Sequence, residues 1–252
     1  MDLRSAADTR IGSSLVLLVG VLGCRAARLE PLPSLDHAQV VAHAETLDVR
    51  VDGDSVGVVV LQLQVGEDSV RSSITSYYHD SISQYVVMTF DPRSLRPVHV
   101  RDSSAREVID LRYSADRVSA TRKVWNPAGA QDTLNFDLPT DSATLDRRSL
   151  LTVASWLPLV PGHVFGLSVF DSWTRGVVPV RIAVGRESQI TVRSRRFRAY
   201  RLDVTTPPVA RPNDFGLFPT VLYVSVDSPR VLLRIERPRQ NAISELISRR
   251  SS

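Results

Sequence analysis

Residue types that could do chemistry occur in this chain, but they do not have the spacing of known catalytic or metal-binding motifs. The histidines show neither the H-x-x-H nor the H-E-x-x-H spacing with which a helix binds zinc. No G-x-S-x-G sequence supplies the sharp turn that exposes a nucleophilic serine. The five histidines are His37, His43, His79, His99 and His163. We therefore predict a protein without catalytic residues, metal ligands or a cofactor.

Two polar groups come closest to a reactive arrangement. Asp171-Ser172 is similar to the Asp-Ser-Gly of aspartic proteases, but Trp173 stands where that loop needs glycine. His79-Asp80 follows a pair of tyrosines and forms the densest polar and aromatic group of the chain. We interpret the first as a turn and the second as a loop.

Apolar side chains are the better candidates for a binding surface. If the strands that carry them curl into a half-barrel, alternate residues face inwards and can hold one ligand. The residues expected to line such an interior are Phe136, Leu150, Val153, Trp156, Phe165 and Phe170. The alternative is that they only fill the core, since aromatic residues serve packing in either case.

One segment with helical periodicity would lie across this interior. Apolar residues recur at helical spacing between Thr144 and Leu157, and Pro158 ends the pattern. Asp141 or Ser142 can cap its start. Since a short isolated helix is marginal in water, it must pack on a sheet.

The rest of the chain from residue 44 to 237 is a series of short strands separated by turns. Leu47, Val49 and Val51 alternate with charged residues, for example, before the turn at 52–55. One helix is too few for a β-α-β architecture. The predicted fold is mainly β: a curved antiparallel sheet, a half-barrel or open barrel, with one short helix (about 144–157) on its concave face.

The two ends of the chain have different predicted roles. Residues 1–23 have a basic start and an apolar run from Ile11 to Leu22. A helix of that length spans about 18 Å, short of the roughly 30 Å of a membrane crossing, so we interpret it as a signal peptide. Residues 24–43 are predicted to be a flexible tether in which His37 and His43 are solvated, and residues 238–252 a C-terminal tail with some helical character.

Cys24 is the only cysteine of the 252 residues, so no intrachain disulfide is possible. With Val21, Leu22 and Gly23 before it, the tetrad resembles the lipobox of bacterial lipoproteins. That resemblance implies lipidation of the Cys24 sulfur, cleavage before it, and a membrane-anchored lipoprotein in the outer membrane that faces the periplasm. The alternative is an ordinary signal peptide with an incidental cysteine.

The charge pattern argues against nucleic acid as a partner. The formal net charge is +4, but Lys123 is the only lysine and the arginines are interleaved with acidic residues. The densest basic group, at 193–198, falls in a predicted hairpin turn. A nucleic-acid surface would need a more continuous basic face.

Four stretches between Asp48 and Glu236 carry a family resemblance. They are YVVMTFDP at 85–92, LPLVPG at 157–162, the strands of 178–202, and the hairpin LYVSVDSPRVLLRI at 222–235. Together they resemble a bacterial envelope family, Domain of Unknown Function 3108. The resemblance implies a half-barrel akin to the LolA and LolB lipoprotein carriers, and it offers no catalytic residue.

These observations favour a lipid-anchored envelope protein that binds a lipid or other apolar ligand, or an envelope protein partner, without catalysis. A structural or assembly factor that acts through protein contacts is the first alternative, and an envelope hydrolase with an unfamiliar site is the second. An apolar, solvent-connected cavity beneath residues 144–157 would favour the binding protein. An exposed apolar edge would favour the assembly factor.

Overall fold

The computed structural model describes residues 34–79, 81–126, 128–141, 143–206 and 219–251. Most of these residues lie in fifteen strands that alternate buried and exposed positions. The first eight are β1 (His43–Val51), β2 (Asp54–Val65), β3 (Val70–Tyr78), β4 (Ser81–Phe90), β5 (Pro97–Ser104), β6 (Glu107–Tyr113), β7 (Arg117–Trp125) and β8 (Gln131–Pro139). The others are β9 (Leu145–Asp146), β10 (Val164–Asp171), β11 (Gly176–Val192), β12 (Arg195–Thr205), β13 (Thr220–Ser225), β14 (Leu232–Arg237) and β15 (Ala242–Ser251).

These strands form one sheet in the order β8-β7-β6-β5-β4-β3-β2-β1-β15-β14-β13-β12-β11-β10-β9. Neighbouring strands are antiparallel, except that β9 and β10 are parallel. Because β1 pairs with both β2 and β15, the first and last strands meet in the middle of the sheet. The mainly β, mostly antiparallel open sheet confirms the predicted fold class.

Strands from both ends of the sheet share one hydrophobic core, so the sheet curls around it. Leu111 on β6 and Phe165 on β10 belong to the same buried cluster. Phe136 on the edge strand β8 lies across the opening from Phe170 on β10, with 6.2 Å between their ring centroids. The result is a half-barrel whose two ends approach each other through side chains.

The single α-helix of the described residues lies on the concave face. It is α1 (Leu150–Trp156), preceded by a 3-10 turn at Arg147–Ser149. The fully buried Trp156 packs edge-on against Phe90 of β4, with 5.1 Å between ring centroids. Thr152 Oγ1 lies 3.0 Å from Ser72 Oγ of β3. These contacts stabilise a helix too short to persist alone.

The helix begins later than its predicted start at 144. Leu145 and Asp146 form β9 instead, and it is Asp146 that caps the turn, with Oδ1 accepting a 2.7 Å hydrogen bond from the backbone N–H of Arg148. Asp141 makes its hydrogen bonds within the preceding turn. Ser142, the other predicted cap, lies outside the described residues.

The prediction of a tail with helical character is wrong from Ala242 onwards, where β15 follows a 3-10 turn at Pro238–Gln240 and pairs with both β1 and β14. The isoleucines of this strand are exposed, Ile243 to 40% and Ile247 to 39%, whereas Ser244 is 1% exposed. This reversed pattern explains why hydrophobic periodicity did not reveal the strand.

The predicted tether is also corrected where the structure describes it, from residue 34 onwards. The backbone N–H of Asp36 donates a 2.7 Å hydrogen bond to the carbonyl oxygen of Trp156. Gln39 is buried, and its Oε1 accepts a 3.0 Å hydrogen bond from the backbone N–H of Arg230. His37 is exposed as expected, but His43 is buried in β1. The signal peptide at 1–23 and Cys24 lie outside the described residues.

Candidate functional site

A cavity of about 270 Å³ lies between α1 and the concave face of the sheet. We call it the interior cavity. Its apolar wall comes from strands on both sides and from one helical residue: Val59, Ile74, Val86, Leu151 and Ile235. Its polar lining consists of Ser76, Gln84, Asp102, Arg147, Arg148, Trp173, Arg237, Gln240 and Ser244. The volume is close to the lower limit of small-molecule sites, about 300–1,000 Å³.

Two of the cavity arginines occupy an electrostatically unfavourable place. Arg147 and Arg148 are in the first turn before α1, where the helix dipole disfavours positive charge. Their position must therefore be stabilised by other groups. Asp146, at the cap, is fully buried and lies 3.6 Å from Nη1 of Arg148.

Arg148 is held by hydrogen bonds from two sides. Its Nε donates to Oδ2 of Asp102 on β5 at 2.6 Å, and its Nη2 donates to Oγ of Ser172 at 3.1 Å. Burial by itself lowers the pKa of Arg148, but the charges of Asp146 and Asp102 outweigh it and raise that pKa. The buried Nη1 has no hydrogen-bond partner among the described residues. This group is therefore in an ion pair without a hydrogen bond, since Oδ2 of Asp146 lies 3.6 Å away.

Asp146 and Arg147 connect the same cluster to β6 and β10. Oδ2 of Asp146 accepts a 2.6 Å hydrogen bond from the phenol of Tyr113 on β6. Burial and then the charge of Asp146 raise the pKa of that phenol well above its usual value. Nη1 of Arg147 lies 3.3 Å from Oδ1 of Asp171, at the end of β10. These contacts hold the start of the helix against one strand from each half of the sheet.

The opposite side of the cavity carries a different cation. Arg237, at the end of β14, is half-buried, and among the described residues its guanidinium has no ion pair. Burial and then the charge of Arg147 lower the pKa of Arg237. Ser244 on the neighbouring β15 is 1% exposed, and its Oγ has no hydrogen-bond partner in the described part of the chain. Both polar groups line the cavity.

An exposed tryptophan lies at the rim. Trp173, in the turn between β10 and β11, is 49% exposed and lines the cavity. The guanidinium of Arg122 on β7 lies over its ring, 4.7 Å from the ring centroid, in a cation–π contact. The ring therefore has a fixed place between the cavity and solvent.

Five of the six residues predicted to line a ligand are part of the packed core. Leu150, Val153, Trp156, Phe165 and Phe170 are each at most 5% exposed. Phe136 is half-buried and packs against Phe170. None of the six lines the interior cavity. Their burial matches the packing alternative, and their contact with a ligand stays a prediction.

The polar groups singled out in the sequence are placed in turns or are paired. Asp171 and Ser172 are buried and hold Arg147 and Arg148, so the turn has an electrostatic role. His79 is exposed in the turn after β3, where Asp80 lies outside the described residues. No group of three or more His, Cys, Asp or Glu among the described residues is arranged to hold a metal ion.

His43 lies apart from the interior cavity. Its Nε2 is 3.1 Å from Oε1 of Glu45, and its Nδ1 is 2.6 Å from the carbonyl oxygen of Val41. Burial lowers the pKa of His43, but the hydrogen bond and the charge of Glu45 outweigh this effect and raise it.

A second, larger depression is open and lies mainly on the outer face of β5–β8. Its volume is about 940 Å³. The side chains there alternate with the buried ones and carry both signs of charge: Arg101, Arg112 and Lys123 against Asp110 and Asp137. This mixture distinguishes it from the interior cavity, where arginines dominate.

The sequence analysis missed the three cavity arginines, Arg147, Arg148 and Arg237. One signal was available: two consecutive arginines near the start of the predicted helix (about 144–157) oppose its dipole, which implies buried acidic partners. Arg237 carried no such signal, because only the pairing of β14 with β15 brings it to the cavity.

The family is shown by comparison with known sequences. A family model described as "Protein of unknown function (DUF3108)" matches residues 46–241, and the chain belongs to this family. No curated protein is detectably similar in sequence.

A solved structure shares the fold. It is the crystal structure of a β-barrel-like protein of Domain of Unknown Function DUF1849 from Brucella abortus, with a TM-score of 0.51 and 9% sequence identity. The match covers 86% of this chain and 99% of that chain. At this identity the likeness concerns architecture alone. Within the described residues, no helix has the length and apolar character needed to cross a membrane.

Proposed function

We propose that this protein is a non-catalytic binding protein that holds an apolar ligand in its interior cavity. The observation that carries the proposal is the cavity of about 270 Å³ between α1 and the sheet. Its wall contains five aliphatic side chains, while Trp173 and Gln240 lie at its exposed rim. Ligand sites typically combine such apolar walls with a few convergent polar groups.

The sheet also supports this use of the cavity. Ser76 and Ile74 face inwards from β3, and Thr75 between them faces outwards. A half-barrel with a helix on its concave face keeps apolar surface out of water while leaving space beside the helix. A bound acyl or other apolar chain would replace water against Val59, Val86 and Leu151.

The experiment fills the cavity with a side chain. Ser76→Phe places an aromatic ring among the lining residues, whereas Thr75→Phe places the same ring on the outer face of the same strand. The full chain, purified under mild conditions, is analysed by native mass spectrometry for a bound lipid or other apolar molecule. We expect a ligand on the wild type and on Thr75→Phe, and its loss from Ser76→Phe. A wild type without ligand, or equal occupancy in all three, contradicts the proposal.

We further propose that the protein acts at the bacterial envelope as an anchored lipoprotein. The support is the lipobox-like tetrad that ends at Cys24. Two or more acyl chains on that residue would anchor it stably, whereas one chain binds only weakly. Cys24→Ser should move the protein from the detergent phase to the aqueous phase in phase partitioning. Unchanged partitioning would reject lipidation.

A second candidate function, assembly through protein contacts, is favoured by one feature. The hairpin between β3 and β4 exposes apolar side chains at its end: Tyr78 (44%), Ile82 (60%) and Tyr85 (41%). Exposed apolar groups of this kind mark contact surfaces when they are contiguous. Ile82→Asp should abolish co-purification of an envelope partner in cells without changing ligand occupancy. Unchanged co-purification would leave the binding function as the better account.

A further inference from the structure

We infer that the ligand of the interior cavity is an amphiphile, an apolar chain that ends in an anionic carboxylate or phosphate head group bound between Arg237 and Arg148. This inference rests on the proposed ligand binding and adds the chemical class of the ligand. It is carried by a cation without an ion pair among the described residues, Arg237, and by buried donors without hydrogen bonds, which line the same cavity as five aliphatic side chains.

The first observation is the unmatched charge of the lining. Of the three arginines that line the cavity, Arg147 is paired with Asp171, and Arg148 is paired with Asp102 and Asp146. Arg237 faces the same space without an ion pair among the described residues. A half-buried cation beside a second guanidinium is costly unless an anion joins it.

The second observation is a pair of buried donors without hydrogen bonds, of which Nη1 of Arg148 lies 3.6 Å from Oδ2 of its ion-pair partner Asp146. Nη1 of Arg148 and Oγ of Ser244 are both buried without a hydrogen-bond partner within the described residues, and both side chains line the cavity. The side chain of Arg148 is 10% exposed and Ser244 is 1% exposed. Buried polar groups in native proteins are nearly always satisfied, so orphaned donors in a cavity indicate an absent acceptor.

These donors come from two different elements of the cavity lining. Arg148 enters from the turn before α1, and Ser244 and Arg237 enter from β15 and β14, which are paired strands. An acceptor group with two or more oxygens can receive hydrogen bonds from both sides, as carboxylates and phosphates do from guanidinium groups. The aliphatic wall begins at Ile235, which pairs with Ser244 across the two strands.

The combination selects the ligand class. A neutral apolar molecule would leave the donors and the charge of Arg237 unmatched. A free inorganic anion would leave the aliphatic wall unused. An anionic head group on an apolar chain satisfies both parts, with the head at the arginines and the chain along Val59, Ile74 and Leu151.

The test compares probes that share one chain. The full chain carrying Cys24→Ser is used, so that no acyl anchor of its own can enter the cavity. Dodecanoate, dodecyl phosphate, dodecanol and inorganic phosphate are titrated at about pH 8, where a carboxylic acid is ionised, by calorimetry or Trp fluorescence. We expect the two anionic amphiphiles to bind at least tenfold more tightly than dodecanol, because hydrogen bonds to charged groups are the stronger class.

Variants locate the head group. Arg237→Met should remove most of the preference for the anionic probes while retaining dodecanol binding. Arg239→Met, which removes the same charge from an exposed residue nearby, should retain the preference. Ser244→Ala should reduce the preference severalfold by removing one donor.

The outcomes separate this inference from the proposed function. If dodecanol binds as tightly as dodecanoate, the cavity takes an apolar ligand but the anionic class is wrong. If inorganic phosphate displaces the amphiphiles completely at equal concentration, the site binds a free anion and the inference is overturned. It is also overturned if Arg239→Met loses the preference as Arg237→Met does. If no chain-bearing probe binds, the proposed function itself fails.

Discussion

The phenol of Tyr113 on β6 donates a 2.6 Å hydrogen bond to the carboxylate of Asp146, which caps the turn before α1. Asp146 is fully buried and also lies beside Arg148. One carboxylate therefore connects a strand from one half of the sheet to the helix and to the cavity arginines. The free energy of unfolding should depend on this contact.

Tyr113→Phe should lower the free energy of unfolding by about 1.5–3 kcal/mol, because a buried charged acceptor loses one of its donors. Urea unfolding of the variant measures the change. Tyr85→Phe is the matched control, since its ring is 41% exposed, and it should be nearly neutral. An unfolding free energy equal to that of the wild type would show that Asp146 is satisfied without the phenol.

The same residue makes stability depend on alkaline pH. The pKa of Tyr113 is raised by burial and by Asp146, so the unfolded state loses its proton first as the pH rises. The stabilisation is complete below the unfolded pKa of about 10 and is lost above it. Spectrophotometric titration should show one tyrosine that ionises only on unfolding, and Tyr113→Phe should remove it.

His43 predicts a second pH dependence, in a different range. Its pKa in the folded protein is raised above 6.5 by Glu45, so its stabilisation is present below that pH and is lost as the pH rises through the folded pKa. Unfolding free energies measured from acid to weakly alkaline pH should therefore fall in this range. His43→Gln should flatten the slope, and His37→Gln, at an exposed position, should retain it. A slope that persists in His43→Gln would contradict the assignment.

The orphaned hydroxyl of Ser244 predicts a stabilising substitution. Ser244→Ala removes a buried group without a partner among the described residues, and should raise the free energy of unfolding of the ligand-free protein by about 1 kcal/mol. Ser225→Ala is the contrasting case, because the Ser225 hydroxyl accepts a 2.9 Å hydrogen bond from the backbone N–H of Val231. It should be destabilising by about 1–3 kcal/mol. The same direction of change in both variants would show that Ser244 has a hidden partner.

Gly57 predicts a steric effect. An ideal Cβ at this position on β2 would overlap with the carbonyl oxygen of Tyr77 on β3, so Gly57→Ala must separate two paired strands. We expect a loss of about 1–3 kcal/mol, measured by thermal or urea unfolding. Gly66→Ala, where a Cβ would make only ordinary contact, should be close to neutral. Equal stability of the two variants would mean that β2 can shift at no cost.

The fold could be predicted from the sequence where alternation and turn residues agree. The strand predicted from the alternation of Leu47, Val49 and Val51 is part of β1 (His43–Val51), which ends directly before the predicted turn at 52–55. The last strand could not be predicted, because Ile243 and Ile247 face outwards and Ser244 faces inwards. Its place is determined by its pairing with β1 and β14 rather than by its own composition.

The candidate site was harder to predict from the sequence than the fold. The sequence indicated an apolar interior beneath a helix, and the cavity lies there, but the predicted aromatic residues are packed and a different set lines the space. Leu151 lines the cavity, for example, whereas its neighbour Leu150 is part of the core. Neighbouring residues on a helix point to different sides of it. The spacing of the apolar residues does not determine which of these sides faces the cavity.

The pairing of β1 with β15 has a consequence for biosynthesis. Apart from the parallel pair β9–β10, each half of the sheet consists of hairpins between neighbours in sequence, and such local pairs can form early in folding. The contact that joins the halves pairs β1 (His43–Val51) with β15 (Ala242–Ser251), so it cannot form until β15 has been synthesised. A chain interrupted before β15 would leave β1 and β14 with unpaired backbone edges, which are prone to aggregate.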